Sequence, residues 1–201
     1  STTVSQYVLP VLLAQFIEKF PQVSLSLLNG NSRAIEKALE EHRIDLGLVE
    51  GIVRQPTLKY TSFLEDELVA VVHTKSKLVS LDEITIEELQ NIPLVLRERG
   101  SGTLDVLETA LAEHNIKLSS LHVKMHLGST ESIKSFLEHT DCMGIISIRS
   151  INRELYAGRF KVVDIKDLKM TRTFSFVQAH GQEGGLEQLF MQFASNHNEK
   201  L

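Results

Sequence analysis

The chain has 201 residues, 42% of them hydrophobic and 23% charged, which is typical of a soluble globular protein and excludes disordered and collagen-like chains. Its 21 basic and 26 acidic side chains leave a formal charge of −5, so it lacks the positive field that binds a nucleic-acid backbone. Cys142 is the single cysteine and forms no internal disulfide. With no apolar run of membrane-spanning length and no signal-peptide pattern, we expect a cytoplasmic protein.

The first part of the chain predicts alternating helices and strands. Apolar residues three and four positions apart indicate a helix that ends at Pro21, and Thr3 with Gln6 has capping-box spacing one turn before it. In chain order, the predicted elements are a helix at 9–20, an alternating strand at 23–27, a helix at 34–39 and apolar strands at 44–49 and 68–72. The acidic run Glu65-Asp66-Glu67 is interpreted as a solvated turn before the last of these strands.

The same alternation continues to the end of the chain. Helices are predicted at 85–88, 104–111, 133–137 and 186–193, and strands at 94–96, 123–127, 143–146, 160–163 and 174–177. Strands that alternate with helices favour a mostly parallel sheet, so the predicted class is α/β.

Polar turns follow several of these strands. They are Glu50-Gly51, Gly100-Ser101-Gly102-Thr103 and Gly128-Ser129-Thr130, while Ser1-Thr2-Thr3 opens the first helix. In a parallel sheet such turns lie at the carboxyl ends of the strands, where hydroxyls and helix N-termini bind small anions such as carboxylate, sulfate or phosphate. The alternative is that each serine or threonine only caps its helix.

No catalytic motif is present. The G-x-S-x-G, S-x-x-K, H-E-x-x-H and P-loop patterns are all missing, and the turn at Gly100 lacks the third glycine of a dinucleotide fingerprint. His122 with His126, or His139 with Cys142, could be imagined as metal ligands, but exposed histidines and a small buried thiol are the simpler interpretation. We therefore predict no catalytic residue, no metal and no cofactor.

The residues resemble a known family when they are taken in order. The matching stretches are Ser1 to Pro10, Phe16 to Leu25, Ile44-Asp45-Leu46-Gly47-Leu48-Val49-Glu50-Gly51, Pro93 to Thr103, and Leu127 to Lys134. Together they look like the effector-binding domain of LysR-type transcriptional regulators. The resemblance runs in register along nearly the whole chain, and the Asp-Leu-Gly-Leu-Val strand is among its most specific parts.

The resemblance implies a fold like type II periplasmic binding proteins, with two Rossmann-like lobes joined by two crossover strands and the ligand between them. Lobe I would be 1–73 plus 176–201, and lobe II 74–175. The effector contacts carried over by position are Ser1, Thr3, Glu50, Gly51, Ser101, Gly102 and Thr103, with Ser129 and Thr130 added. Arg97 and Arg99 could supply positive charge, and Arg99 is the preferred one.

The resemblance also implies partners. Family members bind DNA through an N-terminal winged helix-turn-helix, which this sequence lacks, and form homodimers or homotetramers in which the first helix of lobe I meets lobe II of a partner. We therefore expect a regulatory fragment that senses a small anionic effector and has no enzymatic activity. A solute-binding protein of a transporter is the alternative, and a small-molecule enzyme using Asp45, Glu50 or Glu131 is a further one.

Overall fold

The computed structural model describes residues 1–181 and 184–198. The chain forms two compact units: unit 1 comprises Ser1–Glu65 and the chain from Thr173 onward, and unit 2 comprises Asp66–Arg172. The boundaries between the lobes expected from the sequence fall between residues 73 and 74 and between residues 175 and 176. The two divisions differ only inside the two strands that run from one unit into the other, Leu58–His73 (β2) and Thr171–Ala179 (β8).

Unit 1 packs helices against short strands. Besides its parts of β2 and β8, it contains α1 (Thr2–Tyr7), α2 (Leu9–Lys19), α3 (Ser32–Glu40), β1 (Gly47–Val49) and α8 (Gly185–Ser195). Strand β1 pairs with β8 antiparallel, with Gly47 opposite Val177. The predicted apolar face of α2 is buried, and the Phe16 ring lies edge-on to Phe190 and Phe193 of α8 at centroid distances of 5.1 and 5.2 Å. Aromatic packing of this kind fixes the two helices to each other.

The start of the chain differs from the prediction. The helices α1 and α2 are separate and meet at Val8, and Pro10 lies in the first turn of α2. The capping box expected at Thr3 and Gln6 is wrong, because Ser1 is the N-cap residue and its side chain makes no capping hydrogen bond. Thr3 lies inside α1 instead, which leaves its backbone N–H available to another acceptor.

The strand predicted at 23–27 is also wrong. Residues 23–30 have no regular secondary structure, and Leu25 and Leu27 are 41% and 49% exposed. Alternation shows only which side chains would share a face, whereas a strand also requires a hydrogen-bonded neighbour. No strand of the described residues pairs with this segment.

Unit 2 contains a mixed sheet with helices packed on it. Its elements are the second half of β2, β3 (Glu83–Ile84), α4 (Ile86–Leu89), β4 (Leu94–Arg97), α5 (Gly102–Glu113), β5 (Val123–Leu127), α6 (Thr130–Leu137), β6 (Met143–Ser147), α7 (Asn152–Tyr156) and β7 (Phe160–Ile165). Strand β4 is parallel to β5 and β6, but β2 is antiparallel to β6 and β7. The α/β class is confirmed, whereas the mostly parallel sheet is wrong because β2 reverses the strand direction.

Strand β2 is much longer than its predicted apolar core. It begins at Leu58, and its first half alternates exposed and buried positions, which a search for continuous apolar runs misses. The acidic run at 65–67 is therefore not a solvated turn but part of β2, with Asp66 buried. Among the described residues, no helix is long and apolar enough to cross a membrane.

Candidate functional site

In unit 1 the end of β1 meets the start of α1. The backbone nitrogen of Ser1 donates to the Leu48 carbonyl, and the N–H of Thr3 donates to Oε1 of Glu50 at 3.0 Å. Ser1, Thr3 and Glu50 are all buried, and Gly51 is half-buried beside them. A carboxylate at the start of a helix satisfies amides that would otherwise lack an acceptor. The three polar residues predicted for this unit are therefore brought together.

The Thr3 hydroxyl stands out in this cluster. Its Oγ1 is buried and has no hydrogen-bond partner in the described part of the chain, although its backbone N–H is bonded to Glu50. Glu50 is held from a second side, because its N–H donates to Ser32 Oγ at 3.4 Å. A buried hydroxyl without a partner is costly and marks a position that another polar group could satisfy.

In unit 2 the turn after β4 leads into α5. Gly100 has a φ of +88°, a left-handed conformation that favours glycine, and Ser101 Oγ accepts from the N–H of Leu104 at 3.2 Å. Gly102 and Thr103 follow in the first turn, and both are buried. Thr103 Oγ1 accepts a hydrogen bond from Nη1 of Arg172 at 3.1 Å.

A buried ion pair lies behind Thr103. Asp66 and Arg172 have side chains that are 0% exposed, and Nε of Arg172 donates to Oδ2 of Asp66 at 2.8 Å. Ser147 Oγ donates to the other carboxylate oxygen at 2.7 Å, and Nε of Arg149 lies 3.7 Å from it. Buried charges persist when they are paired and hydrogen-bonded in this way. The pair holds the guanidinium in place against Thr103.

Sequence reasoning missed both members of this pair. Asp66 was assigned to a solvated turn, and Arg172 was not singled out. A usable signal was present, since each residue stands in a strand beside buried apolar neighbours, Leu68 for Asp66 and Phe174 for Arg172. Opposite charges at two such positions predict a buried pair.

The turn before α6 is built by capping. Ser129 Oγ accepts from the N–H of Ser132 at 3.1 Å, and Thr130 is buried behind it. The Lys134 ammonium, also buried, donates to Glu154 at 2.6 Å and lies 2.7 Å from Glu131. The capping role proposed as the alternative for Ser129 is therefore present, and its role in ligand binding stays a prediction.

The two candidate arginines differ in burial. Arg97 is 1% exposed and binds both carboxylate oxygens of Glu98, at 2.9 and 3.2 Å. Its Nη1 has no hydrogen-bond partner among the residues that the structure describes. Arg99, the residue preferred from the sequence, is exposed beyond the end of β4. The structure thus adds Arg97 to the residues with an unsatisfied polar atom.

Tyr60 of unit 1 has a raised pKa. The Tyr60 hydroxyl donates to Glu36 at 2.7 Å and accepts from the N–H of Gln55 at 2.9 Å. Burial, reinforced by the neighbouring carboxylate, raises the pKa of Tyr60 to about 12. The phenol therefore stays protonated at neutral pH. The histidines and Cys142 form no metal centre, and no cluster of metal-ligating side chains is found in the described part of the chain.

The two α/β units, connected by two continuous strands, define the fold of type II periplasmic binding proteins. Residues 1–199 match the family described as the LysR substrate binding domain, and the chain belongs to that family. The YeiE protein of Escherichia coli K12, named an uncharacterized HTH-type transcriptional regulator, is 33% identical over 173 residues, which cover 86% of this chain and 58% of YeiE. The transcriptional activator CmpR of Synechocystis is 29% identical over 200 residues, 99% of this chain and 65% of CmpR. The chain therefore spans less than two thirds of these relatives.

Solved structures show the same fold. The regulatory domain of CcmR from Synechocystis PCC6803, in complex with 2-PG, has a TM-score of 0.86 at 24% identity and covers 100% of this chain and 95% of that one. The effector-binding domain of QuiR, in complex with shikimate, has a TM-score of 0.83 at 18% identity and covers 98% and 93%.

Proposed function

We propose that this chain is the ligand-sensing domain of a LysR-type transcriptional regulator and that its effector is a small anion. Its family supports the proposal, as do relatives named as transcriptional regulators and solved relatives with small molecules bound. The proposed contacts are Ser1, Thr3, Glu50, Gly51, Arg99, Ser101, Gly102, Thr103, Ser129 and Thr130, and we add Arg97. Binding shifts the population of regulator conformations and requires no catalytic step.

The hydrogen bonding of the Thr103 hydroxyl is the observation that favours an anion as the ligand. A guanidinium has only donors, so its contact with Thr103 Oγ1 uses a lone pair of the hydroxyl and leaves the hydroxyl proton to donate. That proton has no acceptor among the described residues. A ligand at Thr103 therefore needs a hydrogen-bond acceptor, and a carboxylate, phosphate or sulfate provides one that forms a charge-assisted bond.

The assembly follows from the same proposal. Val11 and Ile17 leave an apolar strip on α2, 47% and 45% exposed, and we infer that it packs on α5 of a second copy.

DNA binding belongs to a helix-turn-helix segment of the whole protein, as the names of the relatives suggest. A regulator of this kind acts in the cytoplasm. A transport binding protein would be a monomer, so the mass in solution separates the two functions.

Calorimetric titration with small carboxylates, phosphates and sulfate tests the proposal. We expect at least one anion to bind, and Thr103→Val to weaken it about tenfold to a hundredfold, because a hydrogen bond to a charged group contributes about 1.5–3 kcal/mol. Thr109→Val, on the exposed side of α5, is the matched control and should leave binding unchanged. Full affinity in Thr103→Val would disprove the assignment of the contact, and no binding by the unmodified chain would disprove the sensor.

A further inference from the structure

Unit 2 contains a cavity of about 500 Å³ that none of the proposed effector contacts lines. It lies where β2 ends at His73, beside the end of α6 and the turn that precedes β7. The sheet register places this end of β2 next to Met143 and Leu94, the residues at which β6 and β4 begin. The turn leading to Thr103 follows Arg97, at the other end of β4, which lies about 10 Å along the strand from Leu94 at ~3.3 Å per residue. The cavity is thus a separate place in the unit.

Nitrogen groups dominate the lining. His73 is held rigidly, because its Nδ1 accepts the N–H of Lys75 at 3.1 Å and its ring lies edge-on to Phe160. In the neutral ring the proton must therefore be on Nε2, which has no partner in the described residues. The Lys75 ammonium and the His139 ring, both exposed, are also without partners among residues 1–181 and 184–198. Three nitrogen groups are thus available to a ligand.

Several groups around the cavity are already bonded to one another. Glu138 pairs with the Arg159 guanidinium, and the Thr74 hydroxyl donates to the Gly158 carbonyl at 3.0 Å. Close by, Asp141 accepts the N–H of Lys77 at 2.9 Å and pairs with its ammonium at 3.4 Å; these bonds hold the pKa of Asp141 below its usual value. At the C-terminal end of α6, the Phe136 carbonyl is also bonded, because it accepts from the Thr140 hydroxyl.

The charges of the lining therefore favour an anion. Lys75 and Arg159 are cationic and Glu138 is anionic, which leaves one net positive charge among the lysine, arginine and glutamate of the lining. The whole chain carries −5, so this is a local reversal of sign. We propose that the cavity is a second ligand site, which binds a small oxyanion, either free phosphate or the phosphate group of a metabolite.

Sulfate is the first probe, because it presents acceptor oxygens and no donor, which suits the N–H groups of the lining. We expect sulfate to shift the ring resonances of His73 and His139 in NMR spectra of the whole chain, with a saturating dependence on concentration. Sulfate that leaves both rings unshifted, or shifts that rise linearly without saturation, would overturn the proposal.

Two matched double variants separate the site from general charge effects. Lys75→Gln with His139→Gln should weaken sulfate binding at least tenfold. Lys124→Gln with His122→Gln removes the same two residue types from an exposed part of unit 2 and should leave sulfate binding unchanged. Equal losses in both variants would refute a built site.

The Thr103→Val variant keeps this proposal distinct from the effector site. It should retain the sulfate-induced shifts of His73 and His139 even where effector binding is lost. Loss of those shifts in Thr103→Val would mean that the cavity is not an independent site. Tighter binding of a phosphate monoester than of inorganic phosphate would identify a metabolite as the ligand, and the reverse order would identify the free ion; either order supports the site.

Discussion

Asp66 and Arg172 are the residues at which unit 2 begins and ends, and both side chains of this ion pair are fully buried. Asp66→Asn would leave the buried guanidinium without its counter-charge, which costs about 3–5 kcal/mol. We therefore expect a large fall in the urea midpoint of unfolding. Asp66→Asn combined with Arg172→Gln removes both charges and should recover part of the loss.

An exposed carboxylate provides the comparison. Asp82 accepts from Lys161 at 2.6 Å, but the Asp82 side chain is almost fully exposed, so Asp82→Asn should leave the urea midpoint nearly unchanged. If Asp66→Asn and Asp82→Asn shift the midpoint equally, the buried carboxylate does not stabilise unit 2.

At the scale of residues, the sequence predicted the polar turns but not what supports them. Thr3 with Glu50 in unit 1, and Ser101 with Thr103 in unit 2, could be found because a hydroxyl at a helix start follows a strand. The partner of Thr103 comes from position 172, far away in the chain, and no local pattern joins the two. The burial of Arg97 rather than Arg99 has the same origin, since it depends on where β4 ends.

At the scale of elements, periodicity succeeded where an apolar face is wide and long. The face of α5 was read correctly from apolar residues at helical spacing, and these residues are buried. The failures are strands: alternation at 23–27 lacks a hydrogen-bonded neighbour, and the polar first half of β2 lacks an apolar run. Strand pairing joins distant segments, so a local pattern cannot predict it.

Helix α6 packs closely on β6, and a single methyl group added at Gly144 tests this packing. A Cβ at Gly144 would lie 2.9 Å from Cγ2 of Ile133 and 3.0 Å from Cδ1 of Leu137. Gly144→Ala should therefore destabilise the protein by about 1–3 kcal/mol, measured by urea unfolding. Gly128→Ala meets no atom within 4 Å and is the matched control.

A second substitution tests the cause. If the clash with Ile133 is responsible, Gly144→Ala combined with Ile133→Leu, which lacks the γ2 methyl group, should be more stable than the sum of the two single effects. Strict additivity, or a Gly144→Ala protein as stable as Gly128→Ala, would argue against tight packing between α6 and β6.

At the scale of the whole molecule, each unit contains apolar clusters of its own. The aromatic cluster of α2 and α8 belongs to unit 1, and the aliphatic cluster around α5 and β4 belongs to unit 2. The two-lobed organisation came from the family resemblance, since no linker or composition change marks it in the sequence. The net charge of −5 is also a property of the whole chain, and it leaves the chain without the positive field that binds a nucleic-acid backbone.

The proposed assembly depends on the charge that α5 presents to α2. The exposed side of α5 includes Glu108 and Glu113, whereas the exposed strip of α2 includes the apolar Val11 and Ile17. Ile17→Glu would place a third carboxylate against two others, while Ile17→Lys removes the same apolar surface but adds an attractive charge. Both variants should weaken a dimer, the glutamate about tenfold more than the lysine.

Light scattering coupled to size exclusion, over a micromolar concentration series, measures these dissociation constants. A larger effect of glutamate at low salt, reduced at high salt, would support contact between α2 and the acidic side of α5 in a partner. Equal effects of the two substitutions would place the partner surface elsewhere. A chain that is monomeric at all concentrations would contradict the inferred dimer and favour the transport alternative.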